Sequence, residues 1–256
     1  MTDHAQTRSA AKRAERRVRH RRRLWLTVLI AFVALLVAAD RVGVLVAQRA
    51  AASKLAGYAQ FADRPSVRIH GVPFLTQVIG GKYDDVAVRA DAVRVGALGT
   101  AKLDVRLHGL RLSASELIHR KVDQLRVDRV TGTVTWPYQQ VAAHAGIAGL
   151  TLAPVDGGVA VTASVTVPGF GALTVSGSGQ FAVVDGSLRL TVRDVRSATS
   201  GALPSALAGQ LAGALNATIP LPALPYGLRV AGVTAGPDGL AVSGAGANVL
   251  LSADSS

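Results

Sequence analysis

The stretch Val159-Ala160-Val161-Thr162-Ala163-Ser164-Val165-Thr166-Val167 decides how this chain folds. Its valines and Ala163 occupy every second position, with Thr162, Ser164 and Thr166 between them. Successive side chains of a strand point to opposite faces, so this pattern sets one apolar face on a core and one polar face in water. The β-branched residues that dominate it suit a pleated, half-buried surface.

The same period recurs in both directions along the chain. Upstream, Val86 and Val88, then Val93 and Val95, then Leu103, Val105 and Leu107 alternate with polar or small residues, among them Lys102, Asp104, Arg106 and His108. Downstream come Leu173, Val175, Phe181 and Val183, then Leu188, Leu190 and Val192, and finally Leu228, Val230, Leu240 and Val242 around the turn Gly236-Pro237-Asp238-Gly239. Asp156-Gly157-Gly158 and Asp185-Gly186 supply further hairpin turns. The expected fold is therefore α+β, with a large antiparallel sheet interrupted by few helices. Ser113 and Glu116 form a capping box for a short helix to Arg120, with Leu117 and Ile118 inward. Pro137 opens a helix over Tyr138–Ala145, and Pro204 opens another in which Leu207, Leu211 and Leu215 recur every four residues. That last helix carries only Ser205, Gln210 and Asn216 as hydrophilic side chains, so it is either buried or in contact with lipid.

The first forty residues carry a different message. Residues 1–23 form a basic tail with nine Lys and Arg against two acids, and Leu24 to Ala39 holds no charge at all. Cationic flanks stay on the cytoplasmic side of a bilayer, which places the segment 24–46, with Leu24, Trp25, Leu29, Phe32, Leu35 and Leu36, in the cytoplasmic membrane. The domain over 47–251 then lies outside the cytoplasm, ending in a short tail, 252–256. Apolar character resumes after Asp40 and Arg41, which are expected at the outer interface with their side chains among the headgroups, and a helical pattern runs through Ala47 to Phe61. The alternative is a signal peptide cut near Ala39, since Val37-Ala38-Ala39 ends on a small residue; Arg22-Arg23 as a twin-arginine signal ranks below both.

Charge excludes one class of function. The chain is formally +12, but the basic tail accounts for +7 and the remaining 233 residues for only +5. No basic clusters with interleaved aromatics follow residue 41, so nucleic acid is not the partner. Cysteine is absent, which removes disulfides and thiolate metal sites.

Motifs for chemistry are absent as well. His4, His20, His70, His108, His119 and His144 show no metal-ligand spacing. Gly177-Ser178-Gly179 sits inside a period-two strand and not at a strand-to-helix elbow. Gly244-Ala245-Gly246 lacks the third glycine and the following helix of a dinucleotide fingerprint. Asp84-Asp85, the one adjacent acid pair, reads as a solvated bend leading into Val86. No metal, no cofactor and no catalytic residue is expected, and few aromatics are available for stacking on sugars.

Two segments are distinctive: Ile69-His70-Gly71-Val72-Pro73-Phe74-Leu75-Thr76-Gln77-Val78-Ile79-Gly80-Gly81, and Leu221-Pro222-Ala223-Leu224-Pro225-Tyr226-Gly227-Leu228-Arg229-Val230 continuing to Gly244. Together they resemble the LmeA family of actinobacterial cell-envelope proteins, in which a glycine-apolar-PFLTQ element and a closing glycine-rich hairpin recur. The Ala-, Val-, Gly- and Arg-rich composition fits such an origin. The resemblance implies a non-enzymatic phospholipid-binding protein, anchored or exported, linked to the assembly of lipid-anchored, mannan-type glycans. It implies an elongated, highly curved antiparallel sheet wrapped on helices, similar to tubular lipid-binding proteins. It carries no ligand motif, so site residues come from the chain itself. Phe74, Leu75, Phe170, Leu207 and Leu211 are candidates to line an acyl-chain groove. Arg68, Lys82 and Arg229 are candidates to meet an anionic phospholipid headgroup. The competing reading is a membrane-anchored scaffold that stabilises an envelope glycosyltransferase through protein contacts and needs no groove.

Overall fold

The computed structural model describes residues 4–58, 60–113, 124–167, 171–198, 201–221, 224 and 227–252, with residues 4–25 described by backbone alone. A long helix, α1 (His4–Leu55), leads into β1 (Ser66–His70), a short α2 (Phe74–Gly80), and the long strands β2 (Lys82–Arg94), β3 (Thr100–Arg111) and β4 (Gln124–Trp136). Then come α3 (Tyr138–His144), β5 (Thr151–Val155), β6 (Gly158–Val167), β7 (Gly171–Val184), β8 (Ser187–Ser197), α4 (Ser205–Leu215), β9 (Ala217–Pro220), β10 (Arg229–Gly236) and β11 (Gly239–Ser252).

The strands form two antiparallel sheets. One is six-stranded in the order β1-β2-β3-β4-β11-β10, the other five-stranded in the order β5-β6-β7-β8-β9. Neither is closed into a barrel. The opening stretch is β6, and its apolar set Val159, Val161 and Ala163 is fully buried, as the alternation requires. The larger core cluster joins the two sheets: Trp136, Leu240 and Val242 of the first meet Val175, Leu188 and Leu190 of the second, with Val141 of α3 and Leu211 and Leu215 of α4. The apolar stripe on α4 is thus spent on protein packing.

The second cluster sits at the other end of the six-stranded sheet. Val67, Tyr83, Val86, Leu110, Val127, Val130 and Val249 pack there with Phe74 and with Ala52 of α1. In this region the apolar period slips from two to three in four neighbouring strands. Tyr83 and Val86, Leu107 and Leu110, Val127 and Val130, and Gly246 and Val249 lie on two register rows, with two consecutive residues between them in every strand. Gly109 and Asn248, at φ 66° and 53°, lie in the intervening pairs. The positive φ turns the chain locally so that both rows face the core, a crease across the sheet where strict alternation fails.

The crease corrects the reading of Asp84-Asp85, which lie inside β2 and not on a bend. Asp40 is a second correction: it is 6% exposed and packed against the protein, where headgroup exposure was expected. The helices at 138 and 204 start where their prolines predict. The expected helix from Ser113 to Arg120 lies, after Ser113, outside the described residues.

Candidate lipid- and membrane-facing site

The segment Gly71 to Gly81 is a joint between α1 and the six-stranded sheet. Asp40 Oδ1 accepts a hydrogen bond of 2.8 Å from the Leu75 amide, so a carboxylate on α1 caps the first turn of α2 from outside. Gly43, one turn further along α1, leaves space for Phe74, whose ring carbons lie 3.6 Å from where a Cβ would stand. Phe74 is buried there, 6.3 Å from the ring of Tyr83, and burial pushes the Tyr83 phenol above its ordinary range. Thr76 Oγ1 donates to the Pro73 carbonyl at 2.8 Å.

Gln77 is, with Asp40, a buried polar residue of the joint. Its Nε2 donates to the His70 carbonyl at 3.4 Å and its Oε1 accepts from the Asp84 amide at 3.1 Å, tying the end of β1 to the start of β2. Gly71, at φ 107°, passes so close that any side chain there would strike the Gln77 amide. Gly71, Pro73, Phe74, Leu75, Thr76 and Gln77 of the glycine-apolar-PFLTQ motif each have a packing or bonding role, while Val72 stands exposed.

Across the inner face of the sheet runs a strip of half-buried apolar residues. Ile69, Val88, Val105 and Leu107 pack on the second cluster without being sealed by it, and Val44, Ala47, Ala51 and Leu55 of α1 pack on the same cluster. The rows that contain them run on through Gly132 and Gly244 in one case and through Val130 to Gly246 in the other. A Cβ at Gly244 would stand 3.0 Å from Leu224 Cδ1, and one at Gly246 would stand 2.6 Å from Leu228 Cδ2. The glycines of the closing hairpin are therefore small so that the leucines preceding β10 can lie on them.

The outer face is polar. His70, Asp85, His108 and Arg129 follow one register row, and Asp85 lies 3.4 Å from His70 and 3.7 Å from His108. At the α2 end Lys82, Arg111 and Arg126 share another row. Asp128 takes Arg111 at 3.0 Å and Lys82 at 3.8 Å, while Arg126 has no ion-pair partner among the described residues. A shallow open cavity of about 290 Å³ lies here, lined by Arg111, Arg126, Val127, Asp128 and Asn248 to Leu250. Among the described residues no group of His, Cys, Asp or Glu is arranged to hold a metal ion.

The candidate residues fall into separate places. Phe74, Leu75 and Lys82 come together at the joint: Phe74 is buried, Leu75 is 37% exposed and Lys82 is exposed. Leu207 and Leu211 lie on α4, Leu207 half-buried and Leu211 buried in the larger core. Arg68 on β1 and Arg229 at the start of β10 are exposed and apart from each other. Phe170 lies outside the described residues. Of the anchor residues, Leu29, Phe32, Leu35 and Leu36 stand exposed on α1, while the side chains of Leu24 and Trp25 lie outside the description. Sequence reasoning missed Asp40, Gly43 and Gln77 as joint residues. The one signal available for Asp40 was an acid placed inside an otherwise apolar run.

A long N-terminal apolar helix, two open antiparallel sheets and no metal cluster among the described residues define a non-barrel α+β protein with an anchor-like or signal-like lead helix. Residues 38–245 match the LmeA-like phospholipid-binding family, and the chain belongs to that family. No curated protein and no solved structure matches it. The matched range begins two residues before Asp40, so it takes in the part of α1 that carries the joint.

Proposed function

We propose that the protein is a non-enzymatic phospholipid binder held at the outer face of the cytoplasmic membrane by an uncleaved α1. Acyl chains lie on the half-buried strip Ile69, Val88, Val105 and Leu107, next to α1, and the headgroup meets cations at the α2 end, Lys82 first among them. One observation carries this reading beyond family membership. The inner face of the six-stranded sheet is apolar and, at Ile69, Val88, Val105 and Leu107, incompletely covered, as a site for a flexible hydrocarbon chain requires. Retention of the anchor is supported by the continuity of α1 through Ala39 and by the burial of Asp40 on α2, because cleavage there would need the docked helix unwound. Leu75 stands beside this path, while Phe74, Leu207 and Leu211 act as core. Arg68 and Arg229 remain secondary headgroup candidates.

A phospholipid binder placed here would serve the assembly of lipid-anchored glycans by presenting or withdrawing lipid. The alternative role, a scaffold for an envelope glycosyltransferase, needs the outer polar face and not the strip. Lipid extraction of the purified full-length protein separates them. Co-purifying phospholipid that is lost in Val105→Glu, with the helical and sheet signals of circular dichroism retained, supports the binder. Equal lipid content in wild type and variant rejects this site.

A further inference from the structure

Outside α1, the exposed large apolar side chains among the described residues are Tyr58, Val72, Leu75, Ile79, Val155 and Leu250, and three of these six, Val72, Leu75 and Ile79, lie on α2 and the loop that leads into it. Ile79 is 84% exposed and Val72 70%, more than any large apolar side chain on the described part of α1. A solvent-facing surface would not concentrate such groups on one short helix and its leading loop.

The anchor supplies a ruler for their height. From Arg23, the last basic residue of the tail, to Asp40 is about 25 Å of helix, and to Gly43 about 30 Å, which is the thickness of a hydrocarbon core. Asp40 and Gly43 are the residues on which α2 docks, through the Leu75 amide and the Phe74 ring. The docking contacts therefore fix α2 at the level where α1 leaves the hydrocarbon. The cationic row Lys82, Arg111 and Arg126 starts two residues after Gly80, on the same end of the sheet. Its three positive charges face one carboxylate, Asp128, among the ion pairs of the described residues.

We infer that the α2 end is a membrane-contact rim, in which Val72, Leu75 and Ile79 enter the outer leaflet of an anionic bilayer beside α1 while Lys82, Arg111 and Arg126 meet lipid phosphates. The inference rests on the anchor reading given above. Its consequence is that the apolar strip on the sheet is held at the membrane surface, so that a lipid can pass from leaflet to strip without crossing bulk water. Apolar insertion and attraction to anionic lipid act together in such interfacial contacts.

The chain has no cysteine, so single-cysteine variants of the full-length protein can carry a spin label at one place each. Leu35→Cys, Val72→Cys, Ile79→Cys and Val155→Cys are reconstituted in phosphatidylcholine vesicles with and without phosphatidylglycerol, and accessibility to oxygen and to a water-soluble nickel chelate is measured. The expected result is oxygen-favoured accessibility at Leu35, Val72 and Ile79 and water-like accessibility at Val155. Immersion at Val72 and Ile79 should become shallower without phosphatidylglycerol, or in Lys82→Gln with Arg126→Gln. Water-like labels at Val72 and Ile79 with Leu35 still in lipid overturn the rim and leave the anchor standing. Water-like labels at Leu35 too overturn the anchor reading and the rim with it. Labels at Val72 and Ile79 shielded from both reagents mean that protein covers the patch, a second copy or a partner, and also overturn it. Lipid content of the same preparations reports separately on the binding strip.

Discussion

Asp40 shows how much one side chain can decide. In the sequence it ends an uncharged run and reads as a residue reaching the headgroups at the outer interface, yet in the fold it is buried and holds the Leu75 amide. Removing the acceptor leaves that amide unpaired at the start of α2, so Asp40→Ala should destabilise the protein by about 1–2 kcal/mol, while Asp40→Asn keeps an acceptor and should cost much less. Chemical denaturation of the two variants beside wild type checks this. Gln77 makes two buried bonds to the backbone of different strands. Gln77→Ala should cost about 1–3 kcal/mol by leaving the Asp84 amide and the His70 carbonyl unsatisfied. Hydrogen exchange at Asp84 would accelerate accordingly. The motif around Gln77 was legible as a pattern, but the purpose of Gln77 was not, because its partners come from segments on either side and meet only in three dimensions.

At the scale of elements, strands and helix starts were legible because they rest on local physics: alternation for strands, a fixed φ at Pro137 and Pro204 for helices. The crease was not, because a slip from two to three in one strand looks like noise. It becomes meaningful only when Tyr83, Leu110, Val127 and Val249 align in one row. Division into two sheets was also hidden, since both carry the same alternation and the choice of partner is not written in either strand. α4 illustrates a choice that sequence left open between lipid and core. Leu215 is 1% exposed, and Leu215→Ala should cost about 2–5 kcal/mol with the lipid content of the remaining folded protein unchanged. A melt paired with lipid extraction distinguishes core from lining. The tyrosines set a pH limit. Burial raises the phenols of Tyr83 and Tyr138. The unfolded chain then ionises first, near 10.0, so this contribution is whole below that pH and declines as pH rises through the higher folded values. Denaturation midpoints measured across the alkaline range should be flat in this respect up to about pH 10 and fall beyond it.

For the whole molecule, the sequence already separated a basic tail and apolar run, expected at the membrane, from a strand-rich remainder, expected to hold the ligand. The structure adds that the two are mechanically joined, because the last third of α1 is part of the second core cluster through Ala52. The proposed binding face was the least legible part. Its strip consists of ordinary aliphatic residues, Ile69, Val88, Val105 and Leu107, whose incomplete burial is a property of the assembled sheet, and no residue type announces it. Phospholipid retention by that face, in a chain that keeps its anchor, is the central claim, and native mass spectrometry of the full-length protein released from its membrane tests it most directly. The account predicts a chain that retains residues 24–39 and carries bound phospholipid, with the lipid lost in Val105→Glu. A mature chain beginning at Asp40, or a full-length chain free of lipid in every preparation, would contradict it.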